Sequence, residues 1–398
     1  MPPGGATHPV WGDPAAGGNP PPLEGDAAAD LCVIGLGGSG LAAVGAALEA
    51  GASVVGIDAG WVGGGAAGRN GGFLLTGTAR FHHDAVAHWG RERAGAIYAA
   101  SLEELDRLAA ELGPIVRRVG SVRIPASPEE EQDCAAQCAA LRADGFAAEP
   151  AAGPSGTGVR VPDDGAIDPL ARCRRLAAAA QAAGARLHTG TPALEVTGHE
   201  VRTPAGAVRC SAVVVCVDGG LERLLPELAG TVRSVRLQML ATAPLQAGRI
   251  PCPVYDNWGY DYWQQLPDGR VALGGGRDRF GAGNGSQRPD GPGSGRDRFR
   301  AGNAAPAPTA AVQAHLEALL ARRVGVDAPV THRWAGEVAF TDDCLPVLAE
   351  IRARVVASGA FSGHGNVLGS AAGRAATAIA LGGPVPALAR ALRPEHWE

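Results

Sequence analysis

Residues 30–58 decide the fold: DLCVI at 30–34, GLGGSG at 35–40, a run of apolar residues at helical spacing, and SVVGID at 53–58. The first and last stretches are short and apolar, which is typical of buried parallel strands. The glycines stand where the first strand turns into the helix, and they form a complete GxGxxG pattern. The stretch therefore predicts a βαβ unit that binds a dinucleotide.

Each residue type in this unit has a physical role. Gly35 permits a tight turn, Gly37 lets backbone amides approach a pyrophosphate, and Gly40 allows the helix to pack closely on the strand. The helix N-terminus favours an anion, and Asp58 accepts hydrogen bonds from a ribose diol. The residues expected at the nucleotide are Gly35, Gly37, Gly38, Ser39, Gly40, Asp58 and Ala59. NAD and FAD use the same unit, so this stretch alone leaves the cofactor open.

Three further motifs bear on that choice. GGGAAGRNGG at 63–72 is a loop of small residues with one cation and one amide, which suits a flat ligand against backbone. WAG at 334–336 precedes TDDCLP at 341–346, and GHGN at 363–366 leads into a helical stretch. With these motifs the sequence resembles the FAD-dependent amino-acid and amine oxidase family, which includes glycine oxidase, sarcosine oxidase and gamma-glutamylputrescine oxidoreductase.

The resemblance implies how a bound FAD would lie. The 63–72 loop would run beside the pyrophosphate and the isoalloxazine ring, and the helix after GHGN would direct its N-terminus at the N1 and O2 edge of the reduced ring. The further contacts that the resemblance implies are Gly68, Arg69, Asn70, Gly71, Gly72, Val196, Asp218, Gly219, Gly363, His364, Gly365, Asn366 and Val367.

The chain departs from that family at informative positions. Relatives that attach flavin covalently do so through residues where this chain has Gly336 and Phe73, so we expect non-covalent FAD, with Cys344 as the alternative attachment point. Relatives resembling glycine oxidase clamp a substrate carboxylate with an arginine where this chain has Val338. That departure favours an amine or an N-substituted amino acid as substrate. Arg236 could instead reach the pocket and bind a substrate carboxylate, or it could have a structural role.

The expected reaction is transfer of a hydride from the carbon beside nitrogen to flavin N5, which leaves an imine. The candidate catalytic residues are His364, Tyr260, Tyr262 and Arg236. Tyr260 and Tyr262 share one face of a strand and would form an aromatic wall, but core packing explains each ring equally well. The sequence contains no lysine, which sarcosine oxidase-like relatives use to activate dioxygen. The electron acceptor is therefore dioxygen or another carrier.

We expect an α/β fold in which a dinucleotide-binding, Rossmann-like FAD domain is interleaved with an α+β substrate domain built on an antiparallel sheet. The predicted boundaries are a flexible tail at 1–26, an FAD domain at 27–83, 150–222 and 328–398, and a substrate domain at 84–149 and 223–327. Within the latter, GRDRF occurs at 276–280 and again at 295–299, and the segment 281–308 is predicted to be a disordered loop.

Composition excludes several classes of protein. A net charge of −5 gives no reason to expect nucleic acid as a partner. The eight cysteines show no metal-binding spacing, so no metal site is predicted, and they suit a reducing compartment. The chain shows no signal-peptide pattern or membrane-spanning segment, so we expect a cytoplasmic enzyme. The oligomeric state stays open.

Two other functions are consistent with part of the sequence. An NAD(P)-dependent dehydrogenase would account for residues 30–58 but leaves the RNGG, WAG and GHGN motifs without a role. A scaffold that holds a flavin or nucleotide without catalysis is also compatible, because no single catalytic side chain is obligatory for hydride transfer to a flavin.

Overall fold

The computed structural model describes residues 8–280, 307–393 and 395. The strands are β1 (Ala27–Ile34), β2 (Val54–Ile57), β3 (Phe73–Leu74), β4 (Val116–Arg117), β5 (Ser121–Ile124), β6 (Glu149–Gly153), β7 (Gly156–Val161), β8 (Gly165–Ile167), β9 (Arg186–His188), β10 (Glu195–Val196), β11 (Glu200–Thr203), β12 (Gly206–Val215), β13 (Arg233–Thr242), β14 (Val254–Asp256), β15 (Asp261–Gln265), β16 (Val271–Gly274), β17 (Val330–Phe340), β18 (Val347–Arg352) and β19 (Val355–Gly359).

The α-helices alternate with these strands. They are α1 (Gly38–Glu49), α2 (His82–Trp89), α3 (Arg91–Leu112), α4 (Pro128–Ala143), α5 (Pro169–Ala182), α6 (Leu221–Leu224), α7 (Arg277–Phe280), α8 (Ala310–Leu319), α9 (Leu368–Ala380) and α10 (Ala387–Leu392). In the described part of the chain no helix is both long enough and apolar enough to cross a membrane.

The first sheet has the order β10-β11-β12-β1-β2-β9, with β19 paired to β12 and β18 paired to β19. Its centre is parallel: β1 pairs with β2 and β12, and β19 pairs with β12. Leu31 and Val33 pack with helices α1, α5 and α9, whereas Cys32 and Ile34 pack into a core on the other face. Because parallel strands end at the same edge of a sheet, the loops after β1, β2, β12 and β19 converge there.

The second sheet has the order β17-β13-β16-β15-β14-β5-β7-β6. It is antiparallel except where β14 pairs with β5. Trp263 and Leu240 pack with helix α8 on one face, while Tyr262 and Met239 point to the opposite face, as strand alternation requires. The expected α/β fold with an interleaved, largely antiparallel second domain is confirmed.

The sheets divide the chain differently from the boundaries that the sequence predicts. β6, β7 and β17 all pair within the second sheet, although residues 150–161 and 330–340 were expected in the FAD domain. Helix α3, expected in the substrate domain, contributes Ile97 and Leu105 to the core beneath α9. The reason is that β17 pairs along its whole length with β13, a contact between distant segments that local spacing does not report.

The N-terminal segment also differs from expectation. Residues 8–26, predicted to form part of a flexible tail, pack on the body of the protein: Val10 and Leu23 are buried, and the indole of Trp11 donates a hydrogen bond to the carbonyl of Asn70 (2.9 Å). Tertiary contacts thus fix a segment whose Pro- and Gly-rich composition suggested disorder. Residues 1–7 and most of the predicted loop 281–308 lie outside the described residues.

Asp164 is buried where the loop after β3 approaches the start of β5. Its carboxylate accepts hydrogen bonds from the hydroxyl and amide of Thr76 and from the hydroxyl of Ser121. Burial nevertheless raises the pKa of Asp164 from its ordinary 3.8 to about 6. Because the folded state holds this proton more tightly than the unfolded state, the corresponding stability is complete below pH 4 and is lost as the pH rises through 6.

We expect Asp164→Asn to remove this pH dependence. Relative to the variant, the wild-type free energy of unfolding should fall by about 3 kcal/mol between pH 3 and pH 7, the value of a shift of this size. Denaturant unfolding of both proteins across that range measures the difference. If the two proteins differ in free energy of unfolding by the same amount at every pH, the pKa of Asp164 is not raised in the folded state.

Candidate cofactor and substrate cavities

A cavity of about 460 Å³ lies at the edge where the parallel strands of the first sheet end. Its walls come from the loops after β1, β2, β12 and β19 and from the 63–72 loop. The structure brings together here the following predicted residues: Gly35, Gly37, Gly38, Ser39, Asp58, Ala59, Asn70, Asp218, Gly219, Gly363, Gly365 and Asn366.

The GxGxxG turn is shaped for an anion. Gly35 has a φ of +100°, and a Cβ there would lie 2.4 Å from the carbonyl oxygen of Cys216. A Cβ at Gly40 would lie 1.8 Å from the carbonyl oxygen of Gly35, so Gly40 supports the turn rather than lining the cavity. Helix α1 begins without a side-chain cap and without an acidic residue in its first turn. Its free amides and positive dipole end therefore face the cavity.

Acidic side chains hold the strand ends in place. The carboxylate of Asp58 accepts hydrogen bonds from the amides of Leu36 and Gly60, both at 2.7 Å, and keeps lone pairs for a ligand hydroxyl. Asp218 accepts from the amides of Ala339 and Phe361, which ties β12 to β17 and to the GHGN turn. Burial raises the pKa of both carboxyls, to about 6 for Asp218.

The RNGG loop and the GHGN turn are joined by a pair of amides. Asn70 Nδ2 donates to Asn366 Oδ1 (3.2 Å), and Asn366 Nδ2 donates to Asn70 Oδ1 (2.9 Å). Two indoles fix the same loop from behind: Trp334 Nε1 donates to the carbonyl of Arg69 (2.7 Å), as Trp11 does to that of Asn70. The loop is therefore rigid where a flat ring would rest on it.

A second cavity, of about 140 Å³, opens beside the first and shares with it the wall residues Ala66, Asn70, Val338, Gly363 and Asn366. It lies between the 63–72 loop, the GHGN turn and one face of the second sheet. Arg69 and Gly71 line it together with Phe73, Tyr255, Tyr260, Tyr262 and His364. The structure thus places the candidate catalytic residues Tyr260, Tyr262 and His364 around one space.

His364 is held as a neutral imidazole. Burial lowers the pKa of His364 to about 3, with a further contribution from the charge of nearby Arg123. Neither ring nitrogen has a hydrogen-bond partner among the described residues, and the ring stacks on Tyr255 with centroids 6.2 Å apart. A neutral imidazole with open nitrogens can give or take a hydrogen bond with a ligand.

Three arginines line this second cavity: Arg69, Arg123 and Arg277. The Cζ atom of Arg277 lies 4.6 Å from the ring centroid of Tyr260 and 4.5 Å from that of Phe340. Arg123 lies against Tyr255 and Phe81 in the same way, at 4.8 and 4.9 Å. No aspartate or glutamate is found among the described residues that line the cavity. The space therefore carries positive charge without a built-in counter-ion.

Some predicted residues lie elsewhere. Arg236 shares a face of β13 with Gln238, which hydrogen-bonds to Thr309 beside helix α8, whereas Leu237 and Met239 face the second cavity. Strand alternation thus directs Arg236 away from that cavity, which favours the structural role that the sequence left open beside the role of anchor. Val196 is buried in the core of the first sheet, and Pro192 and Ala193 line the first cavity instead.

The predicted residues Gly68, Gly72 and Val367 lie behind the residues that line the two cavities. A Cβ at Gly68 would meet the carbonyl oxygen of Gly63 at 2.3 Å, and one at Gly72 would meet that of Ile167 at the same distance. Val367 is the buried residue at the start of helix α9. These positions shape the 63–72 loop and the α9 terminus without lining either cavity.

The sequence reasoning missed four arginines that line the cavities: Arg123, Arg172, Arg223 and Arg277. Arg277 belongs to the repeated GRDRF motif, which was noted only as part of a loop. Arg172 carried a signal that could have been used, because it occupies a position on the apolar face of α5 between Leu170 and Leu176. Nothing local distinguishes Arg123 from other arginines on strands.

The residues present fit FAD. The first cavity offers the uncapped helix terminus, the acid after β2 and a loop of small residues, and it leads into an aromatic second cavity where a substrate could meet the end of a long cofactor. This combination defines a flavoprotein oxidoreductase with a dinucleotide-binding domain. A model of the family described as FAD dependent oxidoreductase matches residues 30–379, and the chain belongs to that family.

Known proteins agree with this assignment. The chain is 26% identical over 394 residues to "Probable oxidoreductase OrdL" of Rhizobium meliloti, covering 91% of this chain and 85% of that protein. Its fold is similar to L-proline dehydrogenase from P. horikoshii (TM-score 0.72, 19% identity, 94% and 100% of the chains covered). It is also similar to glycine oxidase from Geobacillus kaustophilus (TM-score 0.69, 18% identity, 90% and 96% covered).

Family membership decides between the readings that the GxGxxG unit left open. The cofactor is FAD, as predicted, and the NAD(P)-dependent dehydrogenase is set aside. The family is one of oxidoreductases, which also sets aside the scaffold without catalysis.

The amide pair generates a direct prediction. Asn366→Ala removes the hydrogen bonds to Asn70 and to the carbonyl of Phe73 (2.8 Å), and it releases the 63–72 loop. We expect the dissociation constant for FAD to rise about 10- to 100-fold. Titration of flavin-stripped protein by fluorescence measures it.

Measuring the dissociation constant of FAD for Asn70→Ala and for the double variant completes a double-mutant cycle. Because both side chains serve one contact, the double variant should bind FAD little worse than either single variant. Fully additive losses would contradict the pairing.

Proposed function

We propose that the chain oxidises the C–N bond of a small amine that also carries a carboxylate, an amino acid or N-substituted amino acid, with non-covalent FAD as hydride acceptor. The observation that supports this is the charge of the second cavity: three arginines, Arg69, Arg123 and Arg277, and no acidic side chain among its described lining residues. A polyamine would meet uncompensated positive charge there, whereas a carboxylate would neutralise it.

Arg277 is the stronger candidate for the carboxylate anchor. Its guanidinium is partly buried against two aromatic rings and forms no ion pair within the described part of the chain. Arg123 lies in the field of two buried carboxylates, Asp164 and Glu130, so part of its charge is already balanced. Arg277 would thus replace the arginine that glycine oxidase-like relatives have at the position of Val338.

The aromatic residues would enclose the substrate. Tyr262 lies edge-on to Tyr255 and Phe73, with ring centroids 6.0 and 5.9 Å apart. Burial raises the pKa of Tyr255 to about 12 and that of Tyr262 still higher, so both stay protonated and can donate hydrogen bonds. The similar folds named for glycine and L-proline support an amino-acid-like substrate.

FAD, when bound, supplies the acceptor for the hydride and hence the redox chemistry. The residues of this chain would bind and position the substrate. Arg277 orients the carboxylate, and the tyrosines and Phe73 exclude water. His364 is neutral and so does not repel an ammonium group that must lose its proton. Cys344 lines neither cavity, which supports non-covalent binding.

The electron acceptor and location complete the proposal. Without lysine, the chain would use dioxygen through another cation or pass electrons to a different acceptor. All eight cysteines are free, which is consistent with the reducing cytoplasm proposed as its location.

The test is an anaerobic titration of the flavin-loaded protein with amino acids, N-methyl amino acids and polyamines. We expect amino-acid-like compounds to bleach the visible flavin band and polyamines to leave it unchanged. Re-admission of air then reports whether dioxygen is the acceptor. Bleaching by polyamines alone would overturn the proposed substrate class.

A substitution of Arg277 tests whether this residue binds the substrate carboxylate. Arg277→Met should raise KM for a carboxylate-bearing substrate about 10- to 100-fold, which is the change expected when a hydrogen bond between charged groups is lost. The change in kcat should be smaller. The control is Arg279→Met, an exposed arginine in the same helical turn. Equal losses for the two variants, or an unchanged KM for Arg277→Met, would exclude Arg277 as the anchor.

A further inference from the structure

Arg172 is an arginine in an apolar position. It lies on helix α5, on the face that also buries Leu170, Cys173, Leu176 and Ala180. Its side chain is among the largest in the protein that are almost wholly inaccessible, with 1% of its surface exposed. A buried cation is costly unless an anion accompanies it, so this position calls for a counter-ion.

No carboxylate in the described residues supplies that counter-ion. Arg172 donates to two neutral acceptors, the hydroxyl of Ser370 and the side-chain oxygen of Asn366 (3.4 Å for the latter), and its Nε has no partner. The two acids whose charges act on Arg172, Glu104 and Glu111, are paired with Arg374 at 3.3 and 2.9 Å. Burial lowers the pKa of Arg172, but an arginine retains its charge in proteins.

The guanidinium lies where the cofactor cavity meets the GxGxxG turn. A Cβ on Gly38 would be 3.1 Å from the guanidinium carbon, so a larger residue there would crowd the arginine beside helix α1. Arg172 lines the first cavity with Gly37, Gly38 and Ser39 on one side and Gly365 and Asn366 on the other. The uncapped N-termini of α1 and α9 therefore flank it.

We infer that Arg172 binds the pyrophosphate of FAD. The two helix termini and the guanidinium direct positive charge at one part of the cavity, and the pyrophosphate is the part of FAD that carries the negative charge. The missing counter-ion of Arg172 is thus the cofactor itself. Gly38 and Arg172 form one unit, since the glycine makes room for the cation.

A purely structural role is the competing explanation. Arg172 also connects α5 to α9 through Ser370, and its loss could loosen the cavity without any effect specific to phosphate. The two roles differ in what the bond to Ser370 contributes. If Arg172 acts through the pyrophosphate, removing Ser370 should matter little; if it acts as a clamp between helices, removing either residue should have the same effect.

The experiment measures the dissociation constant of FAD on full-length, flavin-stripped variants. We expect Arg172→Leu and Arg172→Gln to weaken binding about 10- to 100-fold, and Arg172→Lys to retain part of the affinity. Ser370→Ala and the exposed control Arg175→Leu should stay within about threefold of wild type. Added salt should weaken binding to wild type more than to Arg172→Gln, because only the former pairs charges.

A second measurement reports on the phosphates directly. The ³¹P resonances of bound FAD should shift between wild type and Arg172→Lys but not between wild type and Ser370→Ala. This comparison remains decisive if Arg172→Leu fails to fold. Equal losses of affinity in Ser370→Ala and Arg172→Gln, or unchanged ³¹P spectra in Arg172→Lys, would overturn the inference.

Discussion

The reciprocal amide pair of Asn70 and Asn366 is the interaction on which the site depends. It joins the loop after β2 to the turn after β19, two segments that approach because their strands are parallel and end at one edge. The pair marks the boundary between the two cavities, since both residues line each of them. A cofactor that spans this boundary presents its nucleotide to one cavity and its reactive ring to the other.

Charge then separates the roles of the two cavities. Each contains arginine that the described residues do not neutralise with a carboxylate: Arg172 in the first, Arg277 in the second. Such arrangements are unfavourable in an empty protein and become favourable only with anionic ligands. One arginine would therefore bind a phosphate and the other a carboxylate, so Val338 in place of the family arginine need not mean loss of a carboxylate site.

The sequence predicts the parts of this site that are local. The GxGxxG turn, the acid after β2 and the GHGN turn depend on residues close together in the chain, and their spacing is sufficient. The errors concern side-chain direction and distant pairing. Spacing alone does not show that Arg236 points away from the second cavity, and composition predicts a tail at residues 8–26 because Trp11 finds its partners, Asn70 and the core around Trp334, only in the folded chain.

Arg172 is a residue whose unusual position is visible in the sequence but whose role is not. A cation on the apolar face of a helix is visible in the sequence, yet its significance depends on Gly38, more than a hundred residues earlier, and on the absence of an acid that could pair with it. Neither fact is available from periodicity. The pairing of small and charged residues across elements emerges only from the structure.

The most direct test is a crystal structure of the FAD-loaded protein with a non-reacting aromatic carboxylate. We expect the isoalloxazine ring at the boundary formed by Asn70 and Asn366, with the ligand carboxylate within hydrogen-bonding distance of Arg277. A ring bound away from this boundary, or a carboxylate that avoids Arg277 in a fully occupied second cavity, would contradict this expectation.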